Sequence, residues 1–214
     1  MSSPSAISYP TAIAHAVLSF SSAWAIFQVQ ECLFAVIGFS LYLINGILGV
    51  LAYGQPGQFS KIAAYRRSSH WCYLLILALF CSQVCSLERK ICGQFLSYLN
   101  LAVPVMQLFV YEAYEQDIDE TVAEVFQGIC FLIHIHMYRI DAGDSYRVLN
   151  FREMLYFVIN GYLFFTLGFT STVATQKLCT YALCAAFSEI LYVNNLSSLI
   201  KKTEAAKGSS WAWQ

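Results

Sequence analysis

Residues 32–53, CLFAVIGFSLYLINGILGVLAY, contain no charged side chain, and this stretch decides the fold class. The hydrocarbon core of a bilayer offers no hydrogen-bonding partners, so a chain crosses it as a helix of about 20 predominantly apolar residues. The stretch has the length and the composition that such a helix requires. It therefore predicts a membrane-spanning helix, and similar stretches recur on both sides of it.

The composition of the whole chain supports the same prediction. Of its 214 residues, 58% are hydrophobic and 12% are charged, whereas soluble domains carry about 25% charged residues. These few polar side chains are not enough to cover a soluble core of this size. We predict an all-α integral membrane protein, a polytopic transmembrane helical bundle of about seven spans that is surrounded by the lipid bilayer.

Short polar stretches divide the chain into these spans. Residues 1–200 are predicted to form a single transmembrane helical domain, and residues 201–214 a short cytosolic tail. The fifth span is the shortest and carries Glu124 and His134, which leaves open whether it crosses the membrane. The predicted spans are 9–29, 32–53, 70–87, 91–111, 122–138, 154–173 and 178–200.

The lysine and arginine residues predict the orientation, because positively charged loops stay on the cytosolic side. With seven spans, four of the 12 basic side chains fall on the side of the N-terminus and eight on the other side. The N-terminus is thus predicted to be lumenal and the C-terminus cytosolic. The first basic residue is Lys61, so the basic start of a cleaved signal peptide is missing. With the short loops, this favours the endomembrane system, the endoplasmic reticulum or Golgi, over the plasma membrane.

Charge and cysteine content narrow the function classes. The net charge of −1 gives no basic field that would attract a nucleic acid, so no such partner is expected. The eight cysteines lie in or beside apolar runs without paired CxxC motifs, which favours packing over zinc binding. Cys92 follows Arg89 and Lys90 and is the one palmitoylation candidate. HExxH, GxSxG and phosphate-binding glycine loops are absent, so no cofactor is expected and a non-enzymatic role is favoured.

Glu189 is the sharpest functional candidate, because it lies near the middle of the predicted seventh span. A lone carboxylate at that depth has to be neutral or paired with a donor on another helix. It could bind a proton, a cation or a substrate. Alternatively, it makes a structural hydrogen bond to a neighbouring helix, such as the one that carries Asn45, because polar residues also join membrane helices.

A polar stripe on the predicted fifth span gives further ligand- or ion-binding candidates. Glu124, Gln127 and His134 are spaced i, i+3 and i+10, which places them on one helix face. They could line a cavity together with Glu189. The alternative is favoured: this face packs into the bundle, and the ends of the helix lie among the lipid headgroups.

The four histidines offer a weaker alternative, a metal site. A catalytic zinc needs three protein ligands at about 2 Å. His15 and His70 are predicted near the lumenal face, and His134 about 18 Å deeper, given the rise per residue of a helix. One metal cannot reach all of them. His15, His70 and Glu124 are the remaining set, although the primary expectation is that no metal is bound.

Three functions from different classes follow from these features. The first is a non-catalytic accessory, adaptor or assembly component of an endomembrane complex, with another membrane protein as an open partner. The second is a small proton- or cation-coupled transporter or channel that uses Glu189. The third is an intramembrane lipid-modifying enzyme that uses histidines and carboxylates. The short loops and the absence of catalytic motifs favour the first.

Overall fold

The computed structural model describes residues 8–54, 59–87, 91–114, 120–139, 148–167 and 175–210. Across these ranges the chain is almost entirely helical, with seven α-helices and no strand, which confirms the predicted helical bundle. The helices are α1 (Tyr9–Gln28), α2 (Leu33–Gly54), α3 (Phe59–Leu87), α4 (Ile91–Tyr114), α5 (Glu120–Arg139), α6 (Phe151–Gly161) and α7 (Thr175–Ser210), and a π-helical segment, Tyr162–Leu167, continues α6.

Six of the helices in the described ranges, α1 to α5 and α7, are long and apolar enough to cross a membrane. The chain is therefore a multi-pass integral membrane protein. Helix α3 begins well before the span predicted at 70–87, because residues 59–69 contain neither glycine nor proline and continue the helix. Helix α7 likewise extends into the predicted tail, where lysine, alanine and glutamate favour helix.

The predicted sixth span, 154–173, corresponds to α6 and its π-helical continuation, and residues 168–173 lie outside the described ranges. Helix α6 begins with a capping box. The Glu153 amide donates to the Asn150 side chain at 2.9 Å, and the Asn150 amide donates to the Glu153 carboxylate at 2.9 Å. These two bonds satisfy amides that the first helical turn leaves without partners.

Contacts between the helices give the direction of each pass. Ser8 N donates to Tyr53 O at 3.2 Å, so the start of α1 lies beside the end of α2. Cys179 Sγ lies 3.6 Å from Pro10 O, and Glu189, ten residues further along α7, contacts Ser22 of α1, so the two helices start side by side and run parallel. Parallel α1 and α7 require an even number of reversals between them. The α6 segment runs antiparallel to α7, because Tyr156 packs on Tyr192 at a ring-centroid distance of 5.7 Å whereas Asn160, further along α6, donates to Ser188.

Helix α3 lies at the centre of the bundle and packs against α2, α4, α5 and α7. Its Phe80 ring stacks on Tyr192 of α7 with 4.3 Å between the ring centroids. Helix α4 packs mainly on α3, and its opposite face is apolar and exposed. The core is therefore built around one helix, with α4 at the edge.

Helices α1 and α2 approach closely because α2 presents glycines to α1. A Cβ atom added to Gly49 would overlap the ring of His15, and one added to Gly46 would overlap Ser19 Oγ. Gly38 faces α3 instead, where a Cβ would lie 2.7 Å from the Phe80 ring. Small residues allow this close approach of backbones in membrane bundles.

Candidate functional site

Glu189 is fully buried on α7, and both of its carboxyl oxygens contact α1. Ser22 Oγ lies 2.6 Å from Oε1, and Ser21 Oγ is hydrogen-bonded to Oε2. The sequence left open a structural hydrogen bond from Glu189 to a neighbouring helix, such as α2, which carries Asn45. The observed partner helix is α1, which runs parallel to α7 and so keeps the two serines level with the carboxyl group.

The other polar groups around Glu189 come from three helices and carry no positive charge. Tyr42 of α2, Cys72 of α3 and Tyr181 of α7 lie close enough to interact electrostatically with the carboxyl group. Tyr42 and Tyr181 are hydrogen-bonded to each other through their side chains. The ion pair between Arg67 and Glu112 lies away from this position. Glu189 therefore has neutral partners.

Polar contacts continue from this position toward the end of the bundle at which α1 starts. Asn45 Nδ2 donates to Ser69 Oγ at 3.2 Å and to Cys72 Sγ at 3.4 Å. His15 contacts Thr11 O through Nδ1 at 2.8 Å and Tyr65 Oη through Nε2 at 2.9 Å. A carbonyl only accepts, so in the neutral imidazole Nδ1 donates and Nε2 accepts from the Tyr65 hydroxyl.

These residues form a set that we call the polar track. All of them lie between α1, α2, α3 and α7, and each is buried or half-buried in the described structure. In sequence order the track comprises His15, Ser21, Ser22, Tyr42, Asn45, Tyr65, Ser69, Cys72, Tyr181 and Glu189.

His134 lies elsewhere, in an aromatic environment between α5, α6 and α7. It is fully buried, and neither ring nitrogen has a hydrogen-bonding partner among the described residues. Its ring centroid lies 5.3 Å from that of Tyr138, 5.6 Å from Tyr156 and 5.5 Å from Phe157. Tyr192 adds a fourth ring at 6.2 Å. Packing with aromatic rings, rather than hydrogen bonding, holds this histidine.

The other members of the predicted stripe face different surroundings. Gln127 is buried and donates through Nε2 to Tyr73 O at 2.6 Å and to Leu74 O at 3.3 Å, so it bonds to the backbone of α3. Glu124 is exposed on the outside of α5. The structure therefore does not bring Glu124, Gln127 and Glu189 to one cavity.

The residues of the predicted metal alternative are also apart. His15 is engaged with Thr11 and Tyr65, and His70 stacks on Tyr111 at a centroid distance of 5.0 Å. Within the described ranges, no group of three His, Cys, Asp or Glu side chains is arranged to hold a metal ion. The seven cysteines that the structure describes in full form no disulfide bond. The Cys92 side chain lies outside the described part.

Sequence reasoning missed the three serines, the three tyrosines and the cysteine of the polar track. Ser21 and Ser22 are adjacent hydroxyl residues within the predicted first span, and that pairing was a usable signal. The tyrosines carried no such signal, because aromatic residues are common in apolar runs and at membrane interfaces. The ligand- or ion-binding roles of Glu189, Glu124, His134, Gln127 and Asn45 stay predictions.

No protein-family model, no curated protein and no solved structure matches this chain. Its function is therefore inferred from the geometry described above.

Proposed function

We propose that the protein is a non-catalytic accessory, adaptor or assembly component of a membrane complex. The observation that carries the proposal is the pair of hydrogen bonds between Glu189 and the serines of α1. The most costly polar side chain inside the bundle has both oxygens bonded to α1, so it joins two helices that are far apart in sequence. Interhelical polar bonds of this kind hold membrane bundles together.

Other buried polar side chains also connect helices. Gln127 joins α5 to α3, and Asn160 Nδ2 donates to Ser188 Oγ at 2.8 Å, which joins the α6 segment to α7. Tyr192 Oη donates to Phe80 O at 3.1 Å and joins α7 to α3. These polar residues form hydrogen bonds within the bundle and hold its helices together. Such a bundle supports a role as a fixed platform for other proteins.

The outer face of α4 is the surface that we propose for a partner helix. It is apolar along its length, and α4 makes its main contact with α3 alone. In lipid such a face can bind another membrane helix through van der Waals packing. Its exposed apolar side chains include Phe95, Tyr98, Leu99, Met106 and Phe109.

The proposal is tested by purifying the tagged protein, expressed at its native level, in a mild detergent and identifying what accompanies it by mass spectrometry. A stoichiometric membrane partner is expected. Leu99→Trp on the α4 face should reduce the recovery of that partner. Ile13→Trp is the matched control, since Ile13 is also exposed but lies on α1. A clean monomer or homo-oligomer, or a partner lost equally in both variants, would contradict the assignment.

We also propose that this platform works in the endoplasmic reticulum or Golgi with a lumenal N-terminus. The support is the distribution of lysine and arginine between the two ends of the bundle. A glycosylation tag at the N-terminus and another at the C-terminus test the orientation. Modification of the N-terminal tag alone is expected, and modification of the C-terminal tag alone would reverse the assignment.

Proton- or cation-coupled transport is the second candidate function, and the polar track favours it. The track reaches from His15, near the start of α1, to Glu189 further along the bundle. Purified protein in liposomes that enclose a pH-sensitive dye tests this reading. If the protein transports protons, Glu189→Gln should abolish the flux, whereas Glu124→Gln on the exposed face of α5 should leave it unchanged.

A further inference from the structure

Four oxygen–oxygen contacts converge on the two serines of α1. Ser21 Oγ lies 2.9 Å from Leu18 O, and Ser22 Oγ lies 2.8 Å from the same carbonyl oxygen. Ser22 Oγ is also 2.6 Å from Glu189 Oε1, and Ser21 Oγ contacts Oε2. Each serine therefore lies between a backbone carbonyl of its own helix and the carboxyl group of α7.

These contacts need more hydrogens than the serines supply. A serine hydroxyl carries one hydrogen, whereas a carbonyl and an ionised carboxylate carry none and only accept. With Glu189 ionised, only the two serine hydrogens are available for the four contacts. In the other two contacts, oxygen lone pairs would face each other and repel. With a proton on Oε2, the carboxyl group donates to Ser21, Ser21 donates to Leu18 O, and Ser22 donates to Oε1. Three of the four contacts then contain a hydrogen.

The groups that face Glu189 give no other compensation for a negative charge. They are Ser21 and Ser22 from α1, Tyr42 from α2, Cys72 from α3 and Tyr181 from α7 itself. All of them are neutral hydroxyl or thiol groups. An uncompensated charge at membrane depth is costly, so the carboxyl group is more stable with its proton.

We propose that Glu189 is a proton-binding site, in which an uncharged carboxylic acid donates a hydrogen bond to Ser21 and thereby joins α7 to α1. The ligand is a proton. Its release would leave a carboxylate without a counter-charge and two serines whose hydrogens are shared with Leu18 O. Proton binding and the α1–α7 contact are therefore coupled. The proposal stands apart from the accessory role and holds whether or not the protein has a partner.

Infrared spectroscopy of the full-length protein in lipid nanodiscs tests the proposal, because a carboxylic acid and a carboxylate absorb at different frequencies. At neutral pH the wild type should show a carboxylic acid C=O band that shifts in D₂O. Glu189→Gln should lose this band. Glu124→Gln is the matched control, since it makes the same change at an exposed carboxylate, and it should retain the band. Ser21→Ala should shift the band, because the acceptor of the proposed O–H bond is removed.

A second measurement does not depend on the folding of any variant. Wild-type protein with ¹³C-labelled glutamate carboxyl groups is titrated from neutral to alkaline pH. One labelled acid band should be present at neutral pH and convert to a carboxylate band at alkaline pH. Absence of any acid band in the wild type at neutral pH would overturn the proposal, and so would an acid band that persists unchanged in a folded Glu189→Gln variant.

Discussion

Glu189 and His134 are both fully buried in this bundle, yet their surroundings are opposite. Each carboxyl oxygen of Glu189 contacts a serine hydroxyl of α1. Neither ring nitrogen of His134 has a hydrogen-bonding partner among the described residues, and four aromatic rings pack around it. Because both side chains are fully buried, the comparison shows what a hydrogen-bonding partner contributes.

The difference teaches that burial alone does not decide whether a polar residue stabilises a membrane bundle. A buried polar group without a partner costs about 1–3 kcal/mol, whereas a satisfied hydrogen bond contributes about 0.5–1.5 kcal/mol. Glu189 therefore stabilises the contact between α1 and α7. His134, whose ring nitrogens have no partner among the described residues, is expected to lower the free energy of unfolding.

The largest effect is expected when the partners of Glu189 are removed and the carboxyl group stays. Ser21→Ala combined with Ser22→Ala should lower the free energy of unfolding by about 2–3 kcal/mol, because a buried carboxyl group is left without partners. Glu189→Leu should cost only about 1 kcal/mol, because the serines still bond to Leu18 O. Unfolding in mixed detergent micelles measures both. Equal losses would mean that the carboxyl group finds other partners.

A slightly smaller effect is expected from the contact that holds α1 in place. Gly49→Ala should lower the free energy of unfolding by about 1–3 kcal/mol through overpacking, because the added methyl group overlaps the His15 ring. Gly128→Ala is the control: no atom lies within 4 Å of its added Cβ, and alanine favours helix by up to about 1 kcal/mol. If Gly49→Ala left the free energy of unfolding unchanged, α1 would be able to move away from α2 without a loss of stability.

A substitution at His134 should raise the free energy of unfolding, in contrast to the substitutions above. His134→Phe keeps the ring contacts and removes two polar nitrogens without partners, so the free energy of unfolding should rise by about 1 kcal/mol. His15→Phe removes the bonds to Thr11 and Tyr65 and should lower it by about 1–2 kcal/mol. The same detergent unfolding measures both variants. A destabilising His134→Phe would reveal a polar partner that binds this histidine.

Most of the fold could be predicted from the sequence, because the apolar length of a helix is a local property. The stretch at 32–53 needs no knowledge of its neighbours, and α2 occupies Leu33–Gly54. The return through α6 is harder to predict in detail. There the last described turns, Tyr162–Leu167, are π-helical, and hydropathy does not distinguish a π-helix from an α-helix.

The surroundings of the candidate residues could not be predicted, because they depend on which helices are neighbours. Glu189 and Ser21 are 168 residues apart in the sequence, and only the parallel packing of α1 and α7 brings them together. Helical spacing placed Glu124, Gln127 and His134 on one face. It could not show that α3 satisfies Gln127, that rings of α6 and α7 cover His134, and that Glu124 faces outward.

The smallest effect is expected at Glu112, which has partners but lies at the edge of the bundle. It accepts from Arg67 Nε at 2.8 Å and from Trp71 Nε1 at 2.8 Å. The Arg67 side chain is 60% exposed, so water and salt screen its charge. Arg67→Gln should therefore cost less than about 1 kcal/mol of unfolding free energy, and this cost should shrink further at high salt. Trp71→Phe should show no such salt dependence, because its bond involves no cation. The opposite outcome is an Arg67→Gln cost that is as large as that of the double serine variant and independent of salt. Exposure to solvent would then not weaken the bonds of a carboxylate in this protein, and the burial of Glu189 could not explain the large cost of removing its partners.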